Sequence, residues 1–440
     1  MIVQFLKLGQ SDIVLELMYP SYHSLDDAQI ESIIGKVDSE DANNLLHVKL
    51  GNLSLTKRKE SLAQGFNVYQ YIAEEIFIAA DAEALDSPIK TVSFCSDYIG
   101  LWSKDHIKSN IEETYDSNCV ILKYTQPEPY RCFESESLSV EMYYSFGSKT
   151  PDSHGYHLKT KHFLTVTFKQ TCVDFLTAKT EALHIANLFS TLIQRPVDLG
   201  NTSYKTESGT FIHRNGLRYR NVIIRKNNYT TNTFKSLTPD VLNGLVSKWC
   251  SIYKEHRSSL YTFFEIWDHE LLPSEQRFKG YMSVLDDLTT DLKVEWEEKE
   301  SKSERAIKKF IGRIKDNLHL FDKEAQKEFH IFEMALTGKK KSKEAPIFVR
   351  FSMLIQILEP LLPPKRNIDH TFVKRCVHTR HKLTHPQSDY KDIFSSSEYP
   401  KAILNLETIL FSFMLKLIGA EDELIKHTLR LNAFEPMRYE

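Results

Sequence analysis

Two side chains near the end of one predicted helix have types and spacing that could do chemistry: Arg380 and His385. The helix is expected over Asp369 to Thr384, with Asn367 or Asp369 able to cap its start. An α-helix turns about 100° per residue. On that wheel Phe372, Leu383, Cys376, Val373 and Val377 form one apolar arc, and Arg380 falls inside it. A guanidinium aimed into a buried face is costly unless an anion meets it. Either a structural carboxylate or a phosphate could be that anion. His385 would point about 140° away from Arg380 on an unbroken helix. Pro386 follows it directly, however, and the residue before a proline is pushed out of the α region. His385 is therefore expected at the C-terminal break of the helix, free to swing toward the arginine side. That end of a helix favours imidazolium, and a histidine there suits proton transfer near neutral pH.

The elements that must position this pair are helical. From about Thr238 the apolar periodicity predicts helices over Pro239 to Lys254, Pro273 to Glu300, Arg305 to Leu320, Lys323 to Leu336, Val349 to Leu361, Asp369 to Thr384 and Pro400 to Leu417. Gly338 to Lys343 reads as a basic loop, and Ser395 to Ser397 as another. Upstream, the pattern is that of strands. Leu46 to Leu55 alternates, with a break around Gly51. Val92 to Leu101, Cys119 to Tyr124, Leu138 to Phe146 and Phe163 to Phe175 are rich in β-branched and aromatic residues. Gln126-Pro127-Glu128-Pro129, Gly147-Ser148 and Pro151-Asp152-Ser153 supply turns between them. One helix, Thr177 to Gln194, interrupts the strands and stops before Pro196. A hairpin is expected from Thr210 to His213 and Leu217 to Arg225 around Asn215-Gly216. The fold class is thus α+β and multidomain, with a β-rich domain over 1–235 and an all-α domain over 236–440.

Bulk properties narrow the setting. A chain of 440 residues is too long for one ordinary core. A formal net charge of −3 gives no global basic field, so any nucleic acid must be held by a local patch. Cys95, Cys119, Cys132, Cys172, Cys250 and Cys376 are scattered without a Cys-x-x-Cys pair, and their spacing resembles neither a disulfide framework nor a cysteine zinc site. With no signal peptide at the start, the expectation is a reducing cytoplasm. Ile403 to Ile418 is the most apolar stretch, but Glu407 and Lys416 mark it as a buried or amphipathic helix rather than a membrane span.

The run Arg380-His381-Lys382-Leu383-Thr384-His385 matches the HEPN signature of an arginine, a polar residue, three more and a histidine. The wider stretch from Phe372 to Pro386 resembles the ApeA branch of that superfamily. Arg277-Phe278 opens a helix reaching Leu285-Asp286, where the branch tends to carry an acidic residue, usually Glu. Phe348 to Leu362 is similar to its short middle helix, and Phe163 to Val197 more loosely to part of its N-terminal domain. The resemblance implies a metal-independent endoribonuclease, without cofactor, that dimerises to bring two Arg/His pairs into one cleft. Attack of the RNA 2′-hydroxyl on the adjacent phosphorus would leave a 2′,3′-cyclic phosphate. His385 would move protons and Arg380 would offset charge on the phosphorane, with Asp286 and His381 as supporting residues. It also implies abortive-infection defence against phage and tRNA as the target class; the sequence does not name the trigger, for which a phage protein bound by the first half is a candidate. Lys374 and Arg375 on the motif helix, and Lys382 within the motif, are the expected RNA contacts.

Other readings compete. His378, His381 and His385 would share a face of an unbroken helix, a spacing that suggests zinc. But no acidic partner lies nearby in sequence, Cys376 faces the apolar arc and Pro386 disrupts the third position, so a solvated histidine-rich face is preferred. Asp286, Asp287 and Glu297-Glu298 faintly resemble metal-nuclease carboxylates but sit on a predicted helix, where a charged face is the plainer reading. Arg214, Arg218, Tyr219, Arg220, Arg225, Lys226 and Tyr229 interleave bases and aromatics, which suits single-stranded RNA or, more simply, a guarded strand edge. Lys339 to Lys343 reads as a solvated loop that could also guide a phosphate backbone. A non-catalytic RNA-binding or dimerisation module with a structural Arg380 is the alternative to the enzyme. No Gly-rich phosphate loop, Gly-x-Ser-x-Gly or His-Glu-x-x-His occurs.

Overall fold

A computed structural model describes residues 2–8, 13–20, 32–38, 45–61, 66–103, 110–116, 119–125, 127–148, 158–170, 172–197, 199–215, 234–268, 272–290, 292, 302–320, 323–337 and 346–433. It forms two compact units, one of residues 1–257, 361–365 and 411–440, the other of 258–360 and 366–410.

The first unit is built on strands. In chain order they are β1 (Ile2–Leu8), β2 (Ile13–Pro20), β3 (Ser32–Asp38), β4 (Leu45–Ser61), β5 (Phe66–Ala79), β6 (Ile89–Cys95), β7 (Asn110–Asp116), β8 (Cys119–Thr125), β9 (Tyr130–Glu134), β10 (Leu138–Ser148), β11 (Leu158–Phe168), β12 (Asn201–Thr206) and β13 (Thr210–Asn215). Among the described residues, eleven of them form one antiparallel sheet, with the path β1-β2-β5-β13-β12-β6-β11-β10-β9. β4 pairs with β5 and β3, while β7 and β8 form a separate hairpin. The side-chain period of two decides which face is buried. Leu138, Val140, Met142 and Tyr144 of β10 are buried, and the residues between them are partly exposed.

Helix α1 (Asp97–Ser103) and helix α2 (Phe175–Ile193) belong to this unit, as do α3 (Pro239–Glu255) and α11 (Asp422–Ala433), the last two labelled by chain order. Asp174 caps α2, its carboxylate accepting from the Thr177 N–H at 2.9 Å, and Gln194 ends the helix at φ 58°. The last ten residues of α2, His184 to Ile193, are all buried, as expected of a helix apolar on most sides. Trp249 on α3 donates its indole N–H to the His184 carbonyl at 2.9 Å.

Three expectations change here. The stretch Val92 to Leu101 is not one strand: β6 ends at Cys95 and α1 begins at Asp97. The helix is admitted by Gly100, because a Cβ there would lie 2.5 Å from the His162 ring on β11. Likewise β11 stops at Phe168, and Phe175 opens α2. β13 has no free edge for the hairpin expected across Asn215-Gly216, since β12 takes one side and β5 the other. Leu217 to Arg225 and the basic-aromatic run from Arg218 to Tyr229 lie outside the described residues, as do Lys339 to Lys343 and Glu297-Glu298.

The second unit is helical: α4 (Arg257–Asp268), α5 (Ser274–Leu288), α6 (Lys302–Asp316), α7 (Lys323–Thr337), α8 (Ile347–Leu358), α9 (His370–Thr384) and the first part of α10 (Tyr399–Leu417). α5, α8 and α9 pack against one another. Their core includes Phe278, Leu285, Phe351, Leu354, Val373, Cys376 and Leu406, all essentially excluded from solvent. A buried polar network crosses this core. Arg277 of α5 and the Tyr281 hydroxyl both donate to Glu407 of α10, each at 2.9 Å. Burial, with Glu407 beside it, pushes the Tyr281 hydroxyl well above its ordinary pKa.

Candidate active site

The motif helix α9 starts where Asp369 accepts a hydrogen bond from the Phe372 N–H at 2.8 Å. Its buried stripe is Phe372, Val373, Cys376 and Thr379. The Thr379 hydroxyl accepts from the Phe394 N–H at 2.9 Å, which draws the following loop back along the helix. Arg380 stands beside this stripe, 31% exposed, at the border of core and solvent.

The anion that meets Arg380 inside the protein is Asp286, in the last turn of α5. Its Oδ2 accepts from Arg380 Nη2 at 2.7 Å. Its Oδ1 accepts from Nη2 of Arg350, in the first turn of α8. Arg350 also donates through Nη1 to the Asp286 carbonyl and to the Thr290 hydroxyl, each at 3.0 Å. One carboxylate is thus shared by two guanidiniums, and the three side chains carry a formal charge of +1. Three helices contribute one residue each. A carboxylate in the last turn of a helix sits at the disfavoured end of the dipole, and the two guanidiniums offset this.

His385 is the C-cap of α9. Its N–H still donates to the His381 carbonyl at 2.7 Å, but its φ of −128° and ψ of 82° have left the helix, as the following proline requires. The carbonyl of His385 accepts from the Ser388 N–H at 3.0 Å and the Ser388 hydroxyl at 2.7 Å, closing a turn. The His381 and His385 rings lie 4.8 Å apart. Tyr390 stands edge-on to His381 at 5.1 Å and against His378 at 4.4 Å. The histidines at i, i+3 and i+7 therefore join an imidazole–phenol cluster. Among the described residues no three His, Cys, Asp or Glu side chains are grouped to hold a metal ion.

The basic residues expected to touch RNA are not equally available. Arg375 grips Glu398 through two bonds of 2.9 Å, donates to the Ile393 carbonyl at 3.0 Å and lies 4.2 Å over the Phe394 ring. Its guanidinium is committed to holding the loop after the motif. Hydrogen bonds from the Ser395 N–H and hydroxyl, then Arg375, bring the Glu398 carboxyl down to about 2. Lys382 turns its ammonium onto the Pro386 and Ser388 carbonyls, at 2.5 and 2.8 Å, and so clamps the turn that carries His385. Lys374, about half exposed, makes one loose pair with Asp392 at 3.3 Å. The structure thus brings Arg380 to Asp286 and His381 to His385. It also adds Arg350, which lies within the middle helix but was not singled out there.

The arrangement is that of two guanidiniums sharing one carboxylate on a helical unit, in a chain whose other unit is built on a large antiparallel sheet. The sequence matches the ApeA N-terminal domain 1 family over residues 6–249, more than half of the chain. The protein belongs to the ApeA family, a family of anti-phage defence. No curated protein and no solved structure gives a match. Among the described residues no helix is long and apolar enough to cross a membrane.

Proposed function

We propose that this protein is a metal-independent HEPN endoribonuclease of bacterial abortive infection, with Arg380 and His385 as its working pair. The observation that carries this reading is the sharing of Asp286. A carboxylate divided between two guanidiniums leaves one positive charge over, and the guanidinium of Arg380, the more exposed of the two, donates to Asp286 alone among the described residues. A guanidinium has five N–H donors in a rigid fork. Those left over suit a phosphate, whose charge grows as a phosphorane forms.

In the reaction, the 2′-oxygen bonds to the adjacent phosphorus and the bond from phosphorus to the 5′-oxygen breaks. One proton leaves the 2′-hydroxyl and one reaches the departing 5′-oxygen. His385 carries protons at the solvent-facing end of α9, with His381 beside it. Two subunits would pair their sites in a dimer. Lys374 is retained as a contact for the RNA backbone, tRNA being the substrate class. The sheet-bearing half, up to about residue 235, would receive a phage-derived trigger, and the setting would be the cytoplasm.

Cleavage of total tRNA by the purified protein in EDTA tests this, comparing wild type with Arg380→Ala and His385→Ala. The expected result is cutting by wild type alone, leaving 2′,3′-cyclic phosphate ends. Cutting by all three would place the site elsewhere, and loss of wild-type cutting in EDTA would make the enzyme metal-dependent. RNA binding without cleavage, even with infected-cell extract added, would favour the non-catalytic module, in which the Arg380–Asp286 pair is purely structural.

A further inference from the structure

Arg350 does not share Arg380's exposure. Its side chain is 8% exposed, both Nη1 bonds go to the end of α5, and Nη2 holds Asp286. It therefore has no surface to offer a substrate. What it fixes is the orientation of one carboxylate. Backbone and side chain of Asp286 are gripped by the same guanidinium, which sets Oδ1 toward α8 and leaves Oδ2 for Arg380. The Thr290 hydroxyl donates to the same Asp286 carbonyl at 3.1 Å and the Thr289 hydroxyl to the Leu285 carbonyl at 2.7 Å, so the end of α5 has little freedom to turn. Asp286 in turn anchors one amino group of Arg380 and so limits where its fork can point.

We infer that Arg350 is a positioning residue of the proposed nuclease site, acting through Asp286 to aim the Arg380 guanidinium at a phosphodiester. The inference rests on the nuclease reading for its substrate but has a physical content of its own: a relay Arg350–Asp286–Arg380 in which only the last member meets the ligand. A bystander that merely joins α5 to α8 would also stabilise the fold, but it would not couple to Arg380. A lysine cannot replace it, because an ammonium does not bridge a carboxylate and a carbonyl in one plane as a guanidinium does.

The test is a double-variant cycle on binding, with cleavage read in parallel. The probe is a fully 2′-O-methylated RNA, which keeps the phosphates but blocks the attacking oxygen. Affinities are measured for wild type, Arg350→Met, Arg380→Ala and the double variant. Arg380→Ala is expected to weaken binding about tenfold. Arg350→Met should weaken it at least about threefold in the wild-type background and leave it unchanged in the Arg380→Ala background. On unmodified tRNA, Arg350→Met should lower kcat by roughly tenfold to a hundredfold, the scale of misplacement in a reacting geometry, and Arg350→Lys should recover little of it. Equal factors in both backgrounds would overturn the inference while leaving a cutting enzyme intact. Coupling in a wild type that binds but never cuts would uphold the relay and reject the nuclease. A wild type that binds no RNA would reject both. Should Arg350→Met fail to fold, Arg350→Lys takes its place in the same cycle.

Discussion

Lys382 separates two accounts of the motif. Read from the sequence, it is an RNA contact; in the fold, its ammonium is spent on the Pro386 and Ser388 carbonyls beyond the helix end. Lys382→Ala removes both bonds. Charge-assisted hydrogen bonds contribute about 1.5–3 kcal/mol when buried. The side chain is only half-buried, so about 1–2 kcal/mol for the pair is the reasonable scale. The His385–Ser388 bonds and the proline remain, so the turn loosens rather than collapses. A loss of 1–2 kcal/mol corresponds to roughly a 5–30-fold change in a population ratio. Expected, then, is a fall in kcat of about that size, from His385 spending less time in place, with KM for tRNA changed by less than about twofold. The assay is steady-state cleavage at several salt concentrations. An RNA-contacting Lys382 predicts the reverse: unchanged kcat, weaker binding, and a salt slope reduced by roughly 0.7–0.9. That second pattern would refute the clamp. A thermal melt of each variant confirms that the fold is retained.

Two further predictions concern what holds the units together internally. Glu407→Ala takes away the carboxylate shared by the buried Arg277 guanidinium and Tyr281 hydroxyl. It should cost about 3–5 kcal/mol, seen by calorimetry as a Tm fall of roughly 6–20 °C, whereas the joint change Arg277→Met, Tyr281→Phe, Glu407→Leu should recover most of it; equal losses would disprove the account. In the sheet unit, the nearby His213 imidazole and then the Lys179 pair outweigh burial and hold the Glu75 carboxyl down to about 2. His213 is itself pushed below its ordinary value by burial and stands 3.5 Å away, so Lys179 at 2.6 Å is the firmer partner. A depressed carboxyl stabilises above its unfolded pKa and loses that contribution as pH falls toward its folded one. Stability should therefore decline between about pH 4.5 and pH 2, by at most about 3 kcal/mol from this group. Chemical denaturation of Glu75→Gln across that range should give a flatter curve; an unchanged slope would remove Glu75 from the account.

Much of the helical half was legible because long amphipathic periods are hard to mistake. The helix predicted over Asp369 to Thr384 is observed over His370–Thr384 with Asp369 as its cap, and that over Lys323 to Leu336 over Lys323–Thr337. Helix α4 was legible but unread: Leu260, Phe263, Phe264 and Trp267 keep the i, i+3, i+4, i+7 spacing and are all buried. The strand half was less so. Val92 to Leu101 is a short apolar run, and such runs do not distinguish strand from helix by periodicity alone. The helix there packs Gly100 against His162, a contact 62 residues away that no local pattern encodes. The same holds for β12, whose partners β6 and β13 come from either side of α2.

The site shows why one residue was found and its partner was not. Arg380 drew attention because a guanidinium lay inside an apolar arc. The identical argument applies to α8, where Arg350, Leu354 and Leu358 recur at four-residue intervals and all three are buried. A charge on that face needs an anion as much as Arg380 does. One acidic residue, Asp286, meets both demands, which the two wheels taken separately could not reveal. Taken together they carry a stronger consequence: a buried arginine on one helix, a partly exposed one on another and one acid near the end of a third leave one positive charge over among the three side chains. In a protein with a net charge of −3, that local excess is the feature on which the proposed contact with an RNA phosphate rests.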